Sequence, residues 1–152
     1  MDINLVDRIA RVLFHESLTT EGMDAIAWTM FNRTYSEENF TYGKPKTLQN
    51  VLTADGGYEV FDTVYGSDVN KMFAMHPNSV IGNAELNHRW NYALDLSKTL
   101  VSITSYDNLS YDEKYEMLDS NYKNEFTSNK KTTYEYRGIN NENYFGDQYD
   151  KL

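Results

Sequence analysis

A chain of 152 residues with 40 % hydrophobic and 24 % charged side chains has the make-up of a single globular domain, residues 1–152, large enough to bury a core without disulfide staples, and it is not disordered throughout. Its net charge of −9, with no Lys/Arg stripe, argues against nucleic acid and against an anionic membrane surface, which both call for a basic face, but not against a neutral sugar chain held by stacking and hydrogen bonds. The absence of cysteine excludes disulfides and thiolate chemistry.

Residues 3–14 place Leu5, Val6, Ile9, Ala10, Val12 and Leu13 largely on one helical face. Thr19 or Thr20 is a suitable N-cap for a second helix, with Glu21 and Asp24 in its positive first turn. Met23, Ile26, Ala27, Met30 and Phe31 form that helix's apolar stripe, and it runs to about residues 32–34. Residues 35–46 read as a loop, broken by Gly43 and Pro45. Thr47 caps a short helix through Leu48, Val51 and Leu52, closed by Gly56-Gly57. Residues 58–66 fit a strand, a short helix or a turn. Residues 67–76 read as a short helix with Val69, Met72 and Phe73 inward, followed by a turn between Pro77 and Gly82.

The strongest later helix spans 83–103, with Leu86, Trp90, Ala93, Leu94, Ser97, Leu100 and Val101 on one face. Tyr111 to Asn121 supplies one more short helix. Beyond 123 the chain is polar and aromatic, and Thr132–Tyr136 alternates like a strand. No stretch reaches membrane-spanning length, so no membrane insertion is expected. The class that follows is mainly α (α+β): helices around a cleft, a small β element, and a polar aromatic tail across the cleft. The 13 tyrosines suit plain packing and a carbohydrate or peptide cleft equally well.

Chemistry is best sought at Phe14-His15-Glu16-Ser17. A carboxylate at the last turn of an apolar helix faces the partial negative charge of the helix C-terminus. Apolar neighbours add desolvation, and both effects favour the protonated form. A carboxyl that holds its proton near neutrality is what glycosidic cleavage requires of its acid. The alternative is a solvated Glu beside a loop. His15-Glu16 also begins like a zinc-protease helix, but the second His would fall at position 19, where Thr19 stands. His76 and His88 are scattered. No metal and no cofactor is expected. Ser17 has no glycine elbow and is read as a hydroxyl that orients Glu16.

Two segments, Ile9-Ala10-Arg11-Val12-Leu13-Phe14-His15-Glu16-Ser17 and Glu21-Gly22-Met23-Asp24-Ala25-Ile26-Ala27-Trp28-Thr29-Met30-Phe31-Asn32-Arg33, resemble the opening of the SleB/CwlJ-like cell-wall hydrolase family. The apolar helix, the Glu, the Glu-Gly start of the next helix, its small-residue run and the closing Asn-Arg come in the same order at nearly the same spacing. Thr47-Leu48-Gln49-Asn50-Val51-Leu52 is similar to the segment that follows in the family. Gly57-Tyr58-Glu59 occupies the place of the family's Gln-Phe pair, with Tyr58 for the Phe and no Gln. Gly138 through Phe145 looks like the family's late Gly-Asn-His-x-Phe-Tyr element with residues inserted, and Glu125-Phe126-Thr127-Ser128-Asn129 is at best a remnant of another.

The resemblance implies a lysozyme-like fold that cleaves the glycan strands of peptidoglycan, as a lytic transglycosylase or muramidase, with Glu16 as the single catalytic acid and base. The Glu16-Ser17 pair also looks like that of goose-type lysozymes and lytic transglycosylases. Ser17, Tyr58, Glu59, Asn143, Tyr144 and Phe145 are the expected substrate contacts. Glu59 is the better candidate for a second acidic group, and Glu21 and Asp62 are further carboxylates. Trp28 and Trp90 are expected in the core, and Arg33 complements its helix end or forms a salt bridge. The expected partner is peptidoglycan, in the periplasm or outside the cell. The N-terminus Met1-Asp2-Ile3-Asn4 has no positive region followed by an apolar run, so a delivery or assembly protein, or a leader outside this chain, is expected to carry it. Two rival classes remain open: an inactive relative whose cleft binds glycan or a protein partner, and an acidic helical interaction protein without enzymatic ancestry.

Overall fold

A computed structural model describes residues 1–35, 41, 43–54 and 83–121, which form five α-helices. Helix α1 (Ile3–Glu16) begins at Asp2, whose side chain accepts from the Leu5 amide and so satisfies one of the donors every helix start leaves open. Val6, Ile9, Ala10, Val12, Leu13 and Phe14 are buried, while Leu5 is only partly covered.

Helix α2 (Thr20–Tyr35) starts one residue after its N-cap. The Thr19 hydroxyl accepts from the Gly22 amide and the Thr19 carbonyl from Met23. The sequence predicts a one-sided stripe here. Instead every residue from Gly22 to Thr34 is buried. A helix with no wet face must satisfy its polar side chains internally. Thr29 and Thr34 donate to the carbonyls one turn back, those of Ala25 and Met30. Asp24 and Asn32 take hydroxyl donors from other helices, Tyr92 and Tyr111. Asp24, expected to answer the helix start, is therefore a buried hydrogen-bond acceptor.

Gly43 has a φ of 87°, a left-handed conformation that glycine takes at least cost. Helix α3 (Leu48–Thr53) is capped by the Thr47 hydroxyl, which accepts from the Asn50 amide. Leu48, Val51 and Leu52 face inward as expected.

Helix α4 (Ala84–Thr104) is capped by the Asn83 side chain. Its buried residues are Ala93, Leu96, Ser97, Leu100, Val101 and Ile103. The face is turned slightly from the predicted one, with Leu96 and Ile103 fully inside and Leu86, Trp90 and Leu94 at the margin. Helix α5 (Tyr111–Asn121) opens with a reciprocal cap: the Ser110 hydroxyl accepts from the Glu113 amide, and the Glu113 carboxylate accepts from the Ser110 amide.

The long helix α4 organises the assembly. It packs against α1, α2 and α5, and α2 also meets α1 and α3. The α1–α4 contact is close enough for the buried Ser97 hydroxyl to donate to the Val6 carbonyl at 2.6 Å. Trp28, Phe31, Tyr35, Tyr111 and Tyr115 form a continuous aromatic cluster between α2 and α5, with ring centroids 4.9 to 6.1 Å apart. For these tyrosines, packing is the use the fold makes of them.

The described residues are mainly helical, as predicted. Among the described residues there is no strand, and the expected small β element does not appear there. The stretches predicted to supply it, 58–66 and Thr132–Tyr136, lie outside the described residues. So do the predicted helix 67–76, the Gly56-Gly57 stop, the turn between Pro77 and Gly82, and the tail beyond 121. No helix among the described residues is long and apolar enough to cross a membrane.

Candidate functional site

Glu16 is the last residue of α1 and is partly buried. The chain leaves the helix at Ser17, whose backbone is extended at φ −137° and ψ 139°, and re-enters a helix at Thr20. The Ser17 hydroxyl donates to the Thr19 carbonyl at 2.9 Å and accepts from the Thr19 amide at 3.1 Å. It serves the turn, so the orienting bond to Glu16 expected of it is replaced by one that fixes the backbone just after Glu16.

The end of α1 has a second restraint that no local pattern announces. Arg89, near the start of α4, donates from one guanidinium nitrogen to the carbonyls of both Phe14 and Ser17, each at 3.0 Å. Carbonyls in a last helical turn have no partner within the helix, and a cation is the group best suited to them. The guanidinium carbon also lies 4.7 Å from the centroid of the Phe14 ring, within range of a cation–π attraction. Trp90 and His15 meet the same ring edge-on, at 5.7 and 4.7 Å. Trp90, expected in the core, is only partly buried against it.

Glu16 therefore sits two residues beyond an aromatic cluster, in a backbone turn fixed from α4. The partial negative charge of the α1 C-terminus is met there by the Arg89 guanidinium.

The other predicted residues divide clearly. Glu21 is exposed in the first turn of α2, where it also accepts from the Thr20 hydroxyl at 3.3 Å. Trp28 is fully buried. Asn32 and Arg33 are buried, Arg33 in the last turn of α2, and Asn32 accepts from the Tyr111 hydroxyl at 2.8 Å. Burial, with Tyr115 and Asp112 adding to it, pushes the Tyr111 hydroxyl up to about 12. Tyr58, Glu59, Asp62, His76, Glu125–Asn129, Asn143, Tyr144 and Phe145 lie outside the described residues. Among the described residues no three His, Asp or Glu side chains converge as metal ligands.

Two polar groups were not legible as parts of a site. Arg89 reaches α1 across 72 and 75 positions, and Tyr92, one turn further on, reaches Asp24 across 68 at 2.7 Å. A cavity of about 740 Å³ bounded by described residues opens at the other end of α1, beside Asp2 and Leu5. Comparison of the chain with protein-family models, curated proteins and solved structures gives no match.

Proposed function

We propose that the chain cleaves the glycan strands of peptidoglycan, with Glu16 as general acid and then general base, on a lysozyme-like helical scaffold. The observation that carries this reading is the setting of Glu16: a partly buried residue at the junction of α1 and α2, the backbone on either side of it held by Arg89 and by the Ser17–Thr19 turn. A general acid must be held at a fixed place against the bond it protonates. The resemblance of residues 9–33 to the cell-wall hydrolase family supplies the substrate class.

In this reaction Glu16 gives its proton to the oxygen between N-acetylmuramic acid and N-acetylglucosamine, and the bond from the muramic anomeric carbon to that oxygen breaks. A hydroxyl of the same muramic residue attacks the anomeric carbon and returns its proton to Glu16, leaving an anhydro end. No second carboxylate is required, in contrast to an ordinary hydrolase.

Peptidoglycan incubated with the protein and analysed by mass spectrometry tests activity and linkage together. Anhydromuramyl ends mark a transglycosylase, reducing muramic ends a muramidase. Glu16→Gln should abolish release while circular dichroism and melting stay unchanged. Full release by Glu16→Gln removes Glu16 from the reaction.

One observation favours a second reading. The Arg89 cation at the end of α1 is engaged in holding the Phe14 and Ser17 carbonyls, a structural use of this helix end that suits an inactive relative that binds glycan or a protein partner in a larger assembly. That protein would sediment with peptidoglycan and release no fragments.

A further inference from the structure

The 740 Å³ cavity lies a whole helix away from Glu16, since the 14 residues of α1 span about 21 Å. Its volume is that of a small-molecule pocket. Leu5, Leu48 and Val101 supply apolar lining, and the hydrogen-bonded pair Tyr35 and Lys114 lines the cavity as well.

Lys114 is the unusual member. It is only 7 % exposed, although lysine is almost never buried unless paired. Its ammonium donates to the Tyr35 hydroxyl at 3.0 Å and lies 5.1 Å from the Tyr35 ring centroid. Among the described residues no carboxylate pairs with it. An ammonium has three donors, so hydrogen bonding to Tyr35 leaves two unused by the described residues. A buried cation without a counter-charge is costly, and here it lines a cavity able to admit one.

The rest of the lining agrees. Lys46 adds a second, partly buried cation, and Gln49 and Ser102 add polar groups. Among the described lining residues the one carboxylate, Asp2, is exposed and already accepts from the Leu5 amide as the cap of α1. In a chain of net charge −9, the described lining carries more positive than negative side chains.

We propose that the cavity binds a small organic anion, with a carboxylate or phosphate on the Lys114 ammonium and an aliphatic body against Leu5, Leu48 and Val101. The site is independent of any chemistry at Glu16. Because Lys114 neutralises the ligand's charge away from bulk water, the anion is selected over a cation of the same shape.

The test is an amide-resonance titration of the 152-residue chain with hexanoate, hexyl phosphate, hexylamine and inorganic phosphate. Saturable shifts at Leu48 and Ser102 are expected with hexanoate or hexyl phosphate, and which of the two binds tighter tells a carboxylate from a phosphate ester. Lys114→Met keeps the stem and removes the charge, and should weaken binding roughly tenfold or more. If Lys114→Met does not fold, Ser102→Trp fills the cavity instead and should abolish the shifts. Four results would overturn the proposal: no saturable shift with either organic anion, equal binding of hexylamine, equal binding of inorganic phosphate, or undiminished affinity in the folded variant.

Discussion

Arg89 lies over the Phe14 ring at 4.7 Å and donates to the Phe14 carbonyl at 3.0 Å, so one side chain of α4 holds both the Phe14 ring and the backbone beneath it. Arg89→Met keeps most of the packing and removes both carbonyl bonds and the cation. Charge-assisted hydrogen bonds and a partly desolvated cation–π contact together predict a loss of about 2–3 kcal/mol. Arg89→Lys should recover only part of it, because an ammonium lacks the planar fork. Urea unfolding at constant slope measures this. An unchanged midpoint for Arg89→Met would mean that α4 does not restrain the end of α1.

Ser97 is fully buried and bonds to the Val6 carbonyl. That carbonyl lies inside α1 and keeps its helical partner when the hydroxyl is lost. Ser97→Ala is therefore expected to cost only about 1 kcal/mol. Ser97→Leu pushes α1 and α4 apart and should cost about 1–3 kcal/mol through overpacking. Thermal melts of the two variants give the order, and a reversed order would contradict the close approach of these helices.

The Tyr92 hydroxyl donates to the buried Asp24 carboxylate at 2.7 Å. A hydrogen bond to a charged group contributes about 1.5–3 kcal/mol. A double-mutant cycle of Tyr92→Phe with Asp24→Ala should return a coupling energy of that size. Strict additivity of the two substitutions would show the bond to be without energetic weight.

Tyr111 gives the fold a dependence on alkaline pH. Its hydroxyl is raised from 10.0 to about 12 by burial, then by Tyr115 and Asp112, and as the neutral form it donates to Asn32. Between pH 10 and 12 the unfolded chain has released this proton and the folded chain has not. The stabilisation is thus complete below pH 10 and is lost as pH rises through 12. Tyr111→Phe should flatten this limb of a stability–pH curve. Identical slopes for the two proteins would place the Tyr111 hydroxyl in water.

What could be read from sequence was what is local. The apolar spacing of Val6, Ile9, Ala10 and Leu13 marks α1, and Thr47 and the pair Thr19-Thr20, of which Thr19 is the cap, mark two helix starts through the capping chemistry of their hydroxyls. Ser110 and Glu113, three apart at the head of α5, carried a capping signature that the sequence reading did not use. What could not be read was which helix has no wet side. Asp24, Asn32 and Arg33 look like surface positions on a helical stripe, and only the packing of other elements around α2 turns them inward. Arg89 likewise has no neighbour in sequence that points to Phe14 and Ser17. For the candidate site, Glu16 was found through resemblance and its helix end through periodicity. The cation that meets that helix end belongs to a contact made across the fold.

The enclosure of α2 sets where the molecule opens. A helix whose residues from Gly22 to Thr34 are all buried can expose its amides to solvent only when the helices around it come away. Its central amides should therefore be the slowest in the domain to exchange hydrogen for deuterium, at rates set by whole-molecule unfolding. The first turn of α1, with Met1 and Ile3 largely exposed, should exchange by local fraying, and so separately from the rest.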